Sequence, residues 1–357
     1  MNTAPTIPVV VLGGTGYVAG ELLRLIAVHP NYELVAAVSE SQAGATIRSV
    51  FPHLHSAFGA QTYITRPELA AALTAVRGQP LGIFSAAPHG ASAAMLAEVL
   101  QLAAAAGCAA TVVDASADFR FPTAAAYQAV YDHPHGAPEL LEQFACVLPE
   151  HATTVTRPHI GHPGCFATAM LLGVVPLLKL GLVSGPIAAF GITGSTGSGR
   201  APIATTHHPL RHSNLYAYKA LAHRHSPEVV GICDAVTGIA PELRFIPHSG
   251  PFARGIHMTL EADLAAPLRA AELQEKLQHF YADAEFVQVV DGSPRIKDVV
   301  GSNYAHISVA ANDSAVAVFI AIDNLLKGAA GGCVQWMNIK QGLRPTAGLL
   351  AAGPGWV

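Results

Sequence analysis

The sequence predicts an α/β protein: a Rossmann-type doubly wound parallel sheet, then a mixed α+β domain, then a C-terminal helix returning to the first domain. Two observations lead there. Short apolar runs alternate with stretches of helical spacing as far as about position 150, the βα repetition that builds a parallel sheet. Beyond that point the texture changes to a glycine-rich loop at 191–200, a histidine-rich segment at 207–225 and short alternating runs at 256–260 and 315–320. The 357 residues are ample for two cores, and no low-complexity linker separates them. Boundaries are expected near 160 and 325, giving segments 1–160, 161–325 and 326–357.

The elements follow in order. Residues 9–12 are a short apolar run, Gly13-Gly14-Thr15-Gly16 a turn, 18–29 a helix that Pro30 ends, and 33–38 a second strand, together one βαβ unit. Residues 81–85 read as a strand, 91–106 as an alanine-rich helix and 111–114 as another strand. Pro163 and Gly164 break the chain, and an apolar helix starts near Phe166. Its apolar stretch, 167–183, is interrupted by Pro176 and Lys179 and is shorter than the roughly 20 residues a spanning helix needs, so it is expected to be a buried core helix. Residues 323–337 read as a loop entering a helix of small residues.

Composition narrows the function classes. Hydrophobic residues make up 51%, charged residues 12% and aromatics 7%, so the apolar excess is largely alanine and surface charge is sparse. Sparse charge favours subunit contacts, and a homo-oligomer, dimer or tetramer, is expected. The net charge is −4 with no basic run, which argues against a nucleic-acid partner. The N-terminal stretch 1–8 has no basic segment before an apolar one, so no secretory signal is expected. Cys108, Cys146, Cys165, Cys233 and Cys333 form no CxxC pair, which fits a reducing cytoplasm. His207, His208, His212, His223 and His225 crowd one segment, yet no HExxH or CxxC frame accompanies them, so no metal is expected.

Gly13, Gly16 and Ala19 stand where a glycine-rich turn between strand and helix would bring backbone N–H groups and the positive helix end against a pyrophosphate. Gly13, Gly14, Thr15, Gly16, Tyr17 and Val18 are therefore the candidate dinucleotide loop. After the second strand comes Ser39-Glu40-Ser41-Gln42; Ser39 and Ser41 favour a 2′-phosphate, and Glu40 favours a free ribose hydroxyl. Those residues alone leave NADP and NAD open. The later loop from Gly194 to Arg200 lacks the GK[ST] ending of a triphosphate loop. Cys165, after Pro163-Gly164, sits at a helix N-terminus, where unpaired N–H groups and the dipole favour the thiolate. It is the candidate nucleophile.

At Pro163-Gly164-Cys165 the sequence resembles the N-acetyl-γ-glutamyl-phosphate reductases, within the aspartate-semialdehyde dehydrogenase-like group. The likeness runs along nearly the whole chain through Gly13 to Tyr17, Pro88-His89-Gly90, Ala117-Asp118-Phe119-Arg120, Gly197-Ser198-Gly199-Arg200, His223-Arg224-His225-Ser226-Pro227-Glu228, Arg254-Gly255-Ile256, Gly301-Ser302-Asn303 and Asp323-Asn324-Leu325-Leu326-Lys327-Gly328. The resemblance implies an NADP(H)-dependent reduction of a small acyl phosphate to an aldehyde through a cysteine thioester, with 1–160 binding NADP and 161–325 carrying catalysis and dimerisation. It implies Cys165 as nucleophile and His223 as acid/base, with His225 the alternative. Arg120 would hold the leaving phosphate, and Glu228 and Arg254 would face the substrate. Pro88, Ser195, Gly197 and Asn324 would lie by the cofactor. Within that group the rival is the lysine-pathway relative that reduces a carrier-linked aminoadipyl phosphate, because His207-His208-Pro209-Leu210-Arg211 departs from the commoner form. From other classes, a zinc-dependent protein or a non-catalytic nucleotide-binding protein are the alternatives.

Overall fold

The computed structural model describes residues 6–152 and 154–356. The stretch 1–8, expected to hold no secretory signal, lies mostly outside the described residues. The chain divides into two compact units. The first comprises Met1–Cys146, Thr154–His162 and Ala330–Leu350; the second comprises Val147–Thr153, Pro163–Ala329 and Ala351–Val357. This partition is finer than cuts near 160 and 325, for side-chain reasons. Glu150 and His151, in the 147–153 excursion, pair with Lys327 and Tyr281 of the second unit. Near the C-terminus, Pro354 and Gly353 lie against Gly301 and the Val300 carbonyl.

In the first unit, β1 (Ile7–Leu12), β2 (Tyr32–Val38), β3 (Pro80–Ser85), β4 (Ala109–Asp114), β5 (Phe144–Ala145) and β6 (His159–Gly161) form one sheet in the order β2-β1-β3-β4-β6-β5. Every pairing in it is parallel. All of β1 is buried, as a Val/Ile/Leu run covered on both faces should be. The chain turns one way from β1 to β2 and the other way to β3. The switch point therefore falls at the carboxyl ends of β1 and β3, where ligands of such sheets bind. Helix Gly331–Lys340 packs on β4 and on helix Tyr17–Val28. Asn338, fully buried, pins it there: its Oδ1 accepts from the Tyr32 hydroxyl at 2.7 Å and lies 3.1 Å from His29 Nε2, while its Nδ2 donates to the carbonyls of Pro345 and Ala347.

The second unit holds β7 (Val183–Thr193), β8 (Tyr216–Ala217), β9 (Leu243–Ser249), β10 (Ile256–Leu264), β11 (Val287–Val289), β12 (Ala305–Ala311) and β13 (Ala315–Ile322), ordered β11-β12-β13-β10-β7-β9-β8 in a mixed sheet. Helix Cys165–Lys179 lies on β10, β13 and β7, and every residue from Phe166 to Leu177 is buried. A Cβ at Gly173 would stand 2.4 Å from Leu260 Cδ1, so glycine there sets the depth of the helix on the sheet. Pro176 inside this helix has no N–H for the carbonyl of Leu172. The Tyr281 hydroxyl takes over, donating to that carbonyl at 2.6 Å. Among the described residues no helix is long and apolar enough to cross a membrane.

Candidate active site

The cradle of the first unit is built by close approach. Gly13 has φ +70°, and a Cβ on it would lie 2.6 Å from the backbone of Ala87, so no other residue fits without displacing the loop after β3. Gly14 is closed in the same way by the Tyr63 ring. Gly16 differs, because a Cβ there would meet nothing within 4 Å. It is the N-cap of the twelve-residue helix Tyr17–Val28, has no side-chain cap, and leaves the first-turn N–H groups facing that open side. Tyr17 and Pro88 are exposed beside it and Val18 is half-buried. Past β2, the buried Ser39 hydroxyl lies 3.4 Å from that of Ser41. Glu40 is turned onto Arg66, with Oε1 2.9 Å from Nε, and Arg66 also reaches Glu98 at 2.7 Å. Arg120, also of this unit, is buried and donates to the carbonyls of His162 (2.9 Å) and Ala115 (2.8 Å).

In the second unit Cys165 is the first residue of its fifteen-residue helix, with Gly164 as an N-cap that offers no side chain. The Gly164 N–H donates to Glu228 Oε1 at 2.6 Å, so the buried Glu228 carboxylate fixes the entry of the chain into the helix. Over the cysteine lies the wide turn Leu326–Ala330, where a Cβ on Gly328 would come 2.7 Å from Cys165 Cβ. That turn is held by the ion pair of Lys327 with Glu150, both side chains 1% exposed. Next to Glu150, His151 Nε2 lies 3.0 Å from the Tyr281 hydroxyl that serves the cysteine helix.

His223 packs edge-on against Phe166, Phe245 and Tyr218, with ring centroids 5.8, 5.3 and 5.7 Å away. Burial, reinforced by Arg224 and Lys219, pushes its pKa down to about 4, so the imidazole is neutral at pH 7. Its Nδ1 accepts the N–H of His225 at 3.2 Å, which leaves the proton of the neutral ring on Nε2. The His225 ring is 4.7 Å from it. The Tyr218 phenol is raised by burial first and by the Cys165 thiol second, which places it near the cysteine.

A third cluster joins the glycine-rich loop to the segment after β13. Asn324 Nδ2 donates to Thr196 Oγ1 at 3.0 Å and its Oδ1 accepts from Gly255 N–H at 2.7 Å, so Ser195 and Gly197 sit in a turn locked to Asn324. Asp323, with no exposed surface, accepts from the N–H groups of Leu325, Leu326 and Gly301 and from Arg254 Nε at 3.1 Å, and its carboxylate forms an ion pair with that guanidinium. The second unit thus brings together Cys165 with Glu228, His223 with His225, and Ser195, Gly197, Arg254 and Asn324. Arg254 and Glu228, expected to face substrate, have protein partners here. Sequence reasoning did not single out Tyr218, Glu150, Asp323 or Lys327, although the last two stand inside a quoted block.

Two family models match the chain: "Semialdehyde dehydrogenase, NAD binding domain" over residues 8–152 and "Semialdehyde dehydrogenase, dimerisation domain" over 165–324. An N-acetyl-γ-glutamyl-phosphate reductase of Dehalococcoides mccartyi is 36% identical over 346 residues, 96% of each chain. The chain belongs to the semialdehyde dehydrogenase family. Within it the chain groups with the N-acetyl-γ-glutamyl-phosphate reductases, one from Pseudomonas putida being 37% identical over 97% of this chain and 99% of its own. Among solved structures, aspartate semialdehyde dehydrogenase II of Vibrio cholerae shares the fold at TM-score 0.67 and 16% identity, covering 94% of this chain and 98% of that one.

A semialdehyde dehydrogenase is an oxidoreductase that uses a nicotinamide cofactor, and the loop of this one fits a dinucleotide: a positive-φ Gly13 for the turn, an open Gly16 and an uncapped helix end for the anion. Among the described residues no group of three or more His, Cys, Asp or Glu is placed to hold a metal ion.

Proposed function

We propose that this semialdehyde dehydrogenase reduces N-acetyl-γ-glutamyl phosphate to N-acetylglutamate semialdehyde with NADPH, through a thioester on Cys165. The observation that carries the reading is Cys165 at the head of a helix with no side-chain cap, buried from Phe166 to Leu177, beneath Gly328, in a chain 36% identical over 96% of its length to a reductase of that name.

The helix end favours the Cys165 thiolate. The thiolate attacks the acyl carbon, a C–S bond forms, and the bond to the phosphate oxygen breaks with release of phosphate. A dinucleotide held at the Gly13–Gly16 cradle would supply the hydride for reduction of the Cys165 thioester, after which the C–S bond breaks to release the aldehyde and restore the thiolate. First-turn N–H groups beside Cys165 are suited to the tetrahedral oxyanion. His223, neutral and protonated on Nε2, donates to the charge that develops there and exchanges the proton. Arg120, anchored by its bonds to the carbonyls of His162 and Ala115, would receive the phosphate. Glu228 acts by holding Gly164, and Arg254 by holding Asp323. Pro88 of the first unit, and Ser195, Gly197 and Asn324 of the second, are the residues that would border the cofactor.

Ser39, Ser41 and Arg66 favour NADP, because Glu40 is spent on Arg66 rather than presented to a ribose. The enzyme is proposed to be a cytoplasmic homo-oligomer assembled through its second unit.

The test is the reverse assay with N-acetylglutamate semialdehyde, phosphate and NADP⁺. Wild-type enzyme should turn over, and Cys165→Ser should lose turnover while still binding dinucleotide. A carrier-linked aminoadipate analogue preferred more than about tenfold in kcat/KM, roughly 1.4 kcal/mol, replaces the substrate assignment with the lysine-pathway one.

A further inference from the structure

Arg211 closes the short helical turn His208–Arg211 and is only 8% exposed. Its Nη1 donates to Ser249 Oγ, and its Nη2 makes one long bond, 3.4 Å, to the carbonyl of Thr193. Its Nε is buried and has no hydrogen-bond partner among the described residues. Nor has the guanidinium a carboxylate partner among them, whereas Arg254 has Asp323. A buried cation without a counter-ion is costly, and five N–H donors serving two acceptors leave the Nε–Nη2 edge, the one that grips a carboxylate in two parallel bonds, almost unused.

Its place on the sheet is informative. Ala189, Gly191 and Thr193 of β7 share one face, paired in register with Phe245, Pro247 and Ser249 of β9. Phe166 packs where a Cβ of Gly191 would be, and His223 packs on Phe245. Arg211 holds Thr193 and Ser249, one two-residue step, roughly 7 Å, beyond Gly191. The Tyr218 phenol is within electrostatic range of both the Cys165 thiol and Arg211. A five-carbon acyl chain covers roughly 5–6 Å between its two carboxyl carbons by ordinary bond lengths.

Resting on the reaction proposed above, we infer that Arg211 is the specificity-determining residue that binds the substrate's free carboxylate, at the far end of the chain from the carbon that Cys165 attacks. Residues 200–215 then form the wall that selects an anionic substrate.

The test compares N-acetylglutamate semialdehyde with 4-acetamidobutanal, the same chain without its carboxylate, in wild type, Arg211→Met and Arg211→Lys. Wild type should prefer the carboxylated aldehyde by more than 100-fold in kcat/KM. In Arg211→Met the preference should collapse to less than fivefold, mainly through KM, and Arg211→Lys should fall between. Equal losses on both substrates, preserving the ratio, would mean that Arg211 only holds its loop, and would overturn the inference. If Arg211→Met does not fold, an undiminished ratio in Arg211→Lys has the same meaning. If wild type turns over neither aldehyde, the reaction assignment fails. The carboxylate site is then read by thermal shift with N-acetylglutamate, which should stabilise wild type and neither variant; stabilisation of all alike overturns it.

Discussion

A Cβ on Gly328 would lie 2.7 Å from the Cβ of Cys165, so the backbone of the turn after Asp323 rests directly on the residue that carries the thiol. Gly328→Ala should push the two apart. The expected result is a fall in kcat of about 10- to 100-fold, a near-attack geometry lost, with stability lower by about 1–3 kcal/mol, as for other overpacked sites. Steady-state kinetics with alkylation of Cys165 by iodoacetamide checks it. Wild-type kcat and alkylation rate in the variant would show that the turn does not position the thiol.

The Leu172 carbonyl relies on Tyr281 because Pro176 cannot serve it. Tyr281→Phe keeps the ring but leaves that carbonyl buried without a donor, at an expected cost of about 1–3 kcal/mol. Urea denaturation with an unchanged slope would register it as a lower midpoint.

Glu150 and Lys327 are a buried pair, and breaking one side should cost more than removing both. Lys327→Met strands a carboxylate and should destabilise by about 3–5 kcal/mol, whereas Glu150→Leu with Lys327→Met should recover most of that loss. A double-mutant cycle without positive coupling would show the pair to be energetically idle.

His151, His159 and His223 are each pushed down to about 4 by burial, and His29, His257 and His306 shift the same way. Unfolded imidazoles titrate near 6.5, so between about pH 4 and 6.5 the unfolded chain binds more protons and stability drains away as pH falls. Asp114, raised to about 6 by burial, acts oppositely but is one group against several. The melting temperature should therefore decline from pH 7 to 4.5. The His223-dependent step should show no inflection near 6.5 in the pH profile of kcat/KM, and an inflection there would mean an imidazole more solvated than this one.

What could be read from the chain was local. The turn at Gly13 to Gly16, the flanking strand and helix, and the cysteine after Pro163-Gly164 are contiguous signals, and the structure has them at β1, Tyr17–Val28 and Cys165–Lys179. What could not be read depends on partners far along the chain. Glu150 meets Lys327 177 residues on, and Leu172 meets Tyr281 109 residues on; neither pair has a spacing that periodicity detects. Glu228 and Arg254 look from sequence like groups awaiting a ligand, because Gly164 and Asp323 come to them only in the folded unit. Arg211 stood out in sequence only as part of a block that departs from the commoner form: nothing in His208-Pro209-Leu210-Arg211 announces that its guanidinium is buried with no carboxylate partner among the described residues.

Asn338 answers to His29 and Tyr32, 309 and 306 residues earlier. A ribosome makes β1 to β4 first, yet the helix that covers β4 follows every strand of the second unit, so the nascent first unit carries an unroofed apolar sheet until that unit has been made. Completion of the nucleotide-binding unit therefore waits until the second unit's sheet has been synthesised. Messages broken before codon 331 would yield chains with aggregation-prone sheets, dependent on chaperones and marked for proteolysis, rather than a usable half-enzyme.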